Sequence, residues 1–368
     1  MRSRTTLVSL VLIVVGLAQF PITPAAADSV RDRQWHLKTL QVAAAHKVTK
    51  GAGITVGVVD SGVAPHRDLS GNLLTGTDVL DRDAGGGNID ADGHGTEMAG
   101  LIAAHGKTDG DGVLGIAPDA KILPVRDSHP GQVGSSNVVA NGITWAAANG
   151  AKVINVSSAN APSIALADAS KAAVADDVVV VAGAGNKPEY LQFGYPAATP
   201  GVLAVGSSDR NNKHAPFSFT GKAVQLCAPG VGIVSTRLND GYSVSDGTSS
   251  STAIVSGAAA LVRAKFPDLS AQEVIERLTS TATDIGPPGR DEECGFGVLN
   301  IVKALTATGQ GSESVSPAPD ATPASEGGQA APDAPPGVPV AALVGGGVVV
   351  LGGLVALLAV FLRRRRHR

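Results

Sequence analysis

The 368-residue chain predicts an α/β domain built on a doubly wound, mostly parallel sheet, with one transmembrane helix near its carboxyl end. Three observations lead there. Short Val/Ile-rich runs at 54–59, 122–125, 153–156, 178–181 and 202–205 are apolar on both faces, as strands covered by helices on either side must be. The segments between them are long enough for crossover helices. Finally, residues 340–362 carry no charge, about the 20 residues a helix needs to cross a bilayer.

Taken in order, residues 1–27 read as a signal peptide. Arg2 and Arg4 supply positive charge, 7–20 are apolar, and Ala25-Ala26-Ala27 offers a cleavage site that leaves Asp28 first. Residues 28–308 form the folded domain, of which 28–50 are an N-terminal extension. Within it, 96–104 read as an Ala-rich helix, 138–149 as a helix stopped by Asn149-Gly150, and 250–266 as a long apolar helix. Residues 309–339 are rich in Pro, Ala, Ser and Gly without an aromatic, a composition that predicts a disordered linker. The basic tail at 363–368, which includes Arg363 to Arg366, belongs on the cytoplasmic side. The expected location is therefore the cell membrane, single-pass, with the folded domain extracytoplasmic. No internal repeat is evident, and a formal net charge of −3 gives no reason to expect nucleic acid.

Cys227 and Cys294 are the only cysteines, and both lie in the exported part. An even pair in an oxidising compartment favours a disulfide, with two small buried thiols as the alternative.

Chemistry enters through three segments in fixed order: Val59-Asp60-Ser61-Gly62, Gly93-His94-Gly95-Thr96 and Gly247-Thr248-Ser249. Asp60 ends a buried strand, where a carboxylate can hold an imidazole in one tautomer. Asp68, Asp78, Asp81, Asp83, Asp90 and Asp92 compete, but none ends a comparable run. His94 alone sits between glycines ahead of a helix, placed to act as general base. His36, His46, His66, His105, His129 and His214 read as exposed loop histidines. Ser249 precedes a helix, where unpaired N–H groups favour a developing anion. Serine is also a favoured helix cap, and Ser250 and Ser251 share that reading. Ala182-Gly183-Ala184-Gly185-Asn186 follows another strand. There Ala184 and Gly185 leave room for a substrate side chain, and the Asn186 amide is a candidate second donor to an oxyanion beside the Ser249 N–H.

These motifs resemble the subtilisin-like serine proteases, over about 35–305. Asp60, His94 and Ser249 match the family's three catalytic motifs, and Asn186 its oxyanion asparagine. Asn155-Val156-Ser157-Ser158 resembles the segment that binds substrate backbone and lines the first specificity pocket, and Ala159 stands where that segment usually has glycine, so its methyl is expected to narrow the cleft. Ala228-Pro229-Gly230 and the segment from Gly295 to Asn300 match further family segments. Two other departures are Glu97, in place of a frequent second histidine, and Ser251 and Ala253, in place of Ala and Pro after the nucleophile. The signal peptide, the Gln34-Trp35-His36-Leu37 segment, the linker and the terminal helix resemble the mycosins, membrane-anchored subtilases associated with type VII secretion. The resemblance implies a serine endopeptidase acting on protein or peptide, with the membrane and a secretion complex as partners and no cofactor required for its chemistry. A scaffold for that complex, with proteolysis secondary, is the alternative. An intact triad argues against a pure pseudoenzyme, and a non-enzymatic binding domain explains the sheet but not the motifs. The stretch from Ala27 to Asp60 is too short for the large inhibitory prodomain usual in secreted subtilases. Structural calcium on loop carboxylates such as Asp81, Asp83, Asp90 and Asp92 is a further possibility without an assigned site.

Overall fold

The computed structural model describes residues 29–81, 86–106, 111–188 and 192–308. The expected signal peptide, linker, transmembrane segment and basic tail lie outside the described residues, as does Asp83. Among the described residues no helix is long and apolar enough to cross a membrane.

The chain begins with two short helices, α1 (Trp35–Thr39) and α2 (Val42–Ala45), before strand β1 (Thr55–Asp60). There follow β2 (Thr77–Asp78), α3 (His94–Ala103), β3 (Lys121–Arg126), α4 (Ser136–Ala148), β4 (Val153–Val156), α5 (Ile164–Ala175), β5 (Val179–Gly183) and β6 (Leu203–Ser208). Next come β7 (Leu226–Pro229), the hairpin β8 (Ile233–Arg237) and β9 (Gly241–Ser245), α6 (Thr248–Lys265), α7 (Ala271–Ser280) and α8 (Ile301–Thr306). Seven strands form one parallel sheet in the order β2-β3-β1-β4-β5-β6-β7, and β8-β9 form a separate antiparallel pair.

The five predicted runs are β1, β3, β4, β5 and β6. Their residues bury on both faces because helices cover both. One apolar cluster joins Val56, Val58, Val179 and Val181 to α3 and α6; the other joins Val59, Val125, Val156 and Val180 to α4 and α5. Alternate residues of each strand thus serve opposite cores, as the pleat requires.

Helix α6 runs through the first core with all but its ends buried. Its small residues make that possible. Ser251 Oγ donates to the Ala228 carbonyl at 2.8 Å, Thr252 Oγ1 to Thr248 O at 2.7 Å, and Ser256 Oγ to Asn155 Oδ1 at 3.0 Å. Each buried hydroxyl thereby has an acceptor.

The N-terminal extension is built into this body. The Gln34 side chain accepts from Leu114 N at 2.9 Å and donates to Leu114 O at 3.1 Å, Trp35 Nε1 donates to Val231 O at 3.1 Å, and Arg31 reaches Asp111 O at 2.9 Å. Two histidines expected on exposed loops are buried instead. His36 is enclosed on α1, and burial pulls its pKa down to about 3. His66 caps a turn, its Nδ1 accepting from Asp68 N at 3.0 Å. Hydropathy hid both, since an imidazole reads as polar wherever it lies.

Cys227 and Cys294 form a disulfide with Cα atoms 4.9 Å apart, closing a sequence separation of 67. It ties the end of the domain to β7, beside which Gly295 and Val298 form bridges to Leu226 and Cys227. Constraining a loop of that length in the unfolded chain is worth about 4 kcal/mol. Replacing both cysteines by alanine is therefore expected to lower the urea midpoint and, because the unfolded chain then expands, to steepen the slope relative to wild type.

Candidate active site

All strands of the main sheet point the same way, so the residues that follow β1, β3, β4 and β5 gather along one edge, where α/β sheets place their sites. Asp60 is the last residue of β1 and 7% exposed. His94 begins α3 rather than preceding it. Its Nδ1 donates to Asp60 Oδ1 at 2.7 Å, and the same oxygen accepts from Ser61 N at 2.8 Å. The flanking glycine has a clear purpose: a Cβ on Gly95 would lie 2.0 Å from Gly62 O and 3.2 Å from Asp60 Cβ. Any side chain there would push α3 off β1 and pull the imidazole from the carboxylate.

A residue passed over as one loop acid among several holds this turn together. Asp90 Oδ1 accepts from Ser61 Oγ at 3.0 Å, Asp92 N at 3.0 Å and Gly93 N at 2.8 Å; Oδ2 accepts from Thr96 N at 3.0 Å and Thr96 Oγ1 at 2.6 Å. Ser61 Oγ in turn accepts from Gly95 N at 3.0 Å. The run Asp90-Ala91-Asp92-Gly93 carried the signal, an Asx-type turn leading into a helix. Asp92 is similarly engaged, accepting from His94 N at 3.2 Å and Gly131 N at 2.7 Å. These carboxylates are spent on backbone donors, so they do not fit the calcium expectation. Among the described residues no group of three or more metal-ligating side chains comes together.

Ser249 lies inside the first turn of α6, which begins at Thr248 with Gly247 as its cap. No serine caps this helix by its side chain. Ser250 is buried against Ser245 at 3.2 Å and Ser251 points to Ala228, which leaves Ser249 as the half-buried serine of the three. Its Oγ donates to the Ser157 carbonyl at 3.1 Å, so the hydroxyl rests on the substrate-side segment rather than on His94.

Asn186 Oδ1 accepts from Thr248 N at 2.9 Å and Thr248 Oγ1 at 3.0 Å. That anchoring fixes the orientation of the amide against the first turn of α6. The next N–H of the helix, that of Ser249, is in the first turn and has no intrahelical acceptor. Both predicted oxyanion donors are thus carried at the α6 amino end.

The expected substrate-binding residues divide. Ser158 lines the cleft with Asp60 and His94. Ser157 contributes its carbonyl, while its side chain is buried between Asn155 Nδ2, which donates at 2.9 Å, and Ser249 O. Ala184 and Gly185 follow β5 and are buried, Gly185 O accepting from Phe219 N at 3.1 Å. The Ala159 methyl does not narrow the cleft. It packs onto Gly194, where a Cβ would come within 2.4 Å of it, so the glycine at 194 makes room for the side chain at 159. Glu97 likewise has its own partners: Ser243 Oγ donates to it at 2.9 Å and Ser245 Oγ to its other oxygen. Of the competing acids, Asp78 does end a buried strand, but at the sheet edge and paired with Arg126.

Burial pulls the His94 pKa down, but the ring keeps 40% of its surface open, and the Asp60 charge and hydrogen bond, aided by Glu97 and Asp92, raise it to about 9. A general base must be neutral. Activity is therefore expected to rise with pH as His94 loses its proton, giving an acid limb in kcat/KM well above the 6.5 of an ordinary histidine. A pH profile of kcat/KM on a peptide amide checks this.

A profile of the subtilase family matches residues 51–297. Subtilisin DY of Bacillus licheniformis is 40% identical over 260 residues, covering 69% of this chain and 92% of its own length. Among solved structures, MycP1 with its N-terminal propeptide removed is 34% identical with a TM-score of 0.66, over 74% of this chain and 97% of its own. The MycP3 protease from the type VII (ESX-3) secretion system is 31% identical with a TM-score of 0.66, over 77% and 90%.

Proposed function

Because the chain belongs to the subtilase family, whose members are serine proteases, we propose that Asp60, His94 and Ser249 are its catalytic triad and that it works as a membrane-anchored endopeptidase associated with type VII secretion. The observation that carries the catalytic assignment is the 2.7 Å bond from His94 Nδ1 to Asp60, in a cleft also lined by Ser158, whose neighbour Ser157 accepts from Ser249 Oγ at 3.1 Å. Ser249 Oγ attacks the scissile carbonyl as His94 Nε2 takes its proton. The Ser249 N–H and Asn186 Nδ2 hold the oxyanion. His94 then gives the proton to the leaving amine, and water releases the acyl-enzyme by the same steps reversed. Asp60 fixes the imidazole tautomer and stabilises the imidazolium.

Anchoring rests on the uncharged stretch at 340–362 and the arginines after it, which favour an extracytoplasmic domain on a flexible linker. The secretion role rests on the likeness to MycP1 and MycP3. The test compares a deletion of the chain with Ser249→Ala in the producing cell. Loss of type VII secretion on deletion supports the association, and unimpaired secretion contradicts it. Retention of secretion by Ser249→Ala would assign that role to the scaffold rather than to the chemistry.

A further inference from the structure

Beside the Asp60–His94 pair lies a pocket of about 250 Å³ whose walls include three carboxylates, those of Asp60, Asp92 and Asp127. Asp127 follows β3 and is 2% exposed. Its backbone N–H donates to Asp60 O at 2.8 Å, which places it directly beside the triad strand. The other two acids are occupied by His94 and by backbone donors, as described above. Asp127 Oδ2 is different: among the described residues it has no hydrogen-bond partner although it is buried.

The Ser128 side chain bonds the carboxylate, but its Oδ2 stays unpaired, and a buried unpaired carboxylate oxygen is costly and is drawn to any cation that reaches it. Burial, and then the Asp60 charge, pushes the Asp127 carboxyl up to about 7. Among the described residues nothing cationic answers it except the His94 ring. The neighbouring Arg126 is turned away to Asp78 and Asp81. At the pocket rim Val133 leaves 46% of its surface open, an apolar shelf for a methylene stem.

We propose that this pocket selects a lysine or arginine side chain of the substrate, carried by the residue just before the scissile one, and that Asp127 is the group that selects it. The position follows from geometry. One wall of the pocket is His94, which must touch the reacting atoms, and an extended peptide advances only about 3.3 Å per residue. The ammonium or guanidinium would enter between three carboxylates and give Asp127 Oδ2 the partner it lacks. This inference rests on the protease reading and names the substrate class of the same cleft.

The test uses the full-length chain in detergent and three peptide amides that differ only in the residue before the scissile alanine: lysine, norleucine or glutamate. Wild type is expected to cleave the lysine peptide with kcat/KM roughly 10- to 100-fold above the norleucine peptide, the scale of one charged hydrogen bond, and the glutamate peptide slowest. Asp127→Asn is expected to bring the lysine-to-norleucine ratio near one, and Asp127→Glu to restore a preference for lysine. A wild-type ratio of one or less, or a ratio that Asp127→Asn leaves unchanged, overturns the proposal. Should the asparagine variant not fold, the wild-type order of the three peptides decides. Hydrolysis of none of them, with no fluorophosphonate label on Ser249, would instead sink the protease reading itself.

Discussion

Ser249→Ala is expected to lower kcat by about 10⁶-fold with little change in KM, the size of loss that removal of the nucleophile causes in subtilisin itself. The physical reason is that no neighbour can replace it. Ser250 Oγ is held against Ser245 at 3.2 Å, and Ser251 Oγ donates to the Ala228 carbonyl on the far side of α6 at 2.8 Å. The fold should not suffer. Ser249 Oγ makes one bond, to the Ser157 carbonyl, and the side chain is only half-buried, so little packing is lost. Substrate binding and thermal midpoint should therefore stay close to wild type while turnover disappears. Steady-state kinetics on a peptide amide, with the melting curve as control, separates the two.

Asp60→Asn carries the second largest effect, a loss of about 10⁴-fold in kcat/KM. The carboxylate oxygen that accepts from His94 Nδ1 at 2.7 Å also accepts from Ser61 N at 2.8 Å, so the shape of the turn can survive the change to an amide. What is lost is the charge. Without it the tautomer is no longer fixed and the imidazolium formed during attack is unsupported. The pH profile provides an independent readout. In wild type, burial lowers the His94 pKa and Asp60 more than offsets this, raising it to about 9. Removing the carboxylate lets the burial effect prevail. The acid limb of the residual activity should then move down in pH, since His94 would be neutral over more of the range. A residual activity with its limb unmoved would mean that Asp60 does not set the protonation of His94.

Much of the arrangement was legible in the sequence because each motif carried its own physical signature. Runs apolar on both faces marked β1, β3, β4, β5 and β6. The glycines around His94 marked a close approach, and the structure gives it as the contact of Gly95 with Gly62 and Asp60. What hydropathy did not carry was of two kinds. Short or polar strands left no run to see. β2 has 2 residues, β7 ends in Pro229, and β9 reads Gly-Tyr-Ser-Val-Ser. The β8–β9 turn did leave a trace, since Asn239 and Asp240 both adopt positive φ, as a tight hairpin requires. Those residues matter because Ser243 and Ser245 of β9 are the partners that make Glu97 tolerable beneath His94.

The second kind was buried polar side chains. Asp90, His36 and His66 read as loop residues because their types usually are solvated, Asp127 drew no reading at all, and only tertiary contacts show them enclosed. Asp90 is the case with most consequence. It organises the turn that presents His94, yet nothing in its residue type sets it apart from Asp81 or Asp92. The substrate side of the cleft was legible in outline only. Whether Ala159 faces the cleft or Gly194 depends on a residue 35 positions further on.

The central claim is that Ser249 is a nucleophile activated by His94. Its most direct measurement is covalent labelling of the purified chain with a fluorophosphonate, followed by mass spectrometry of the modified peptide. The account predicts a single adduct on Ser249, absent in Ser249→Ala and formed far more slowly in His94→Ala. Equal labelling of wild type and Ser249→Ala, or an adduct on another residue, would contradict it.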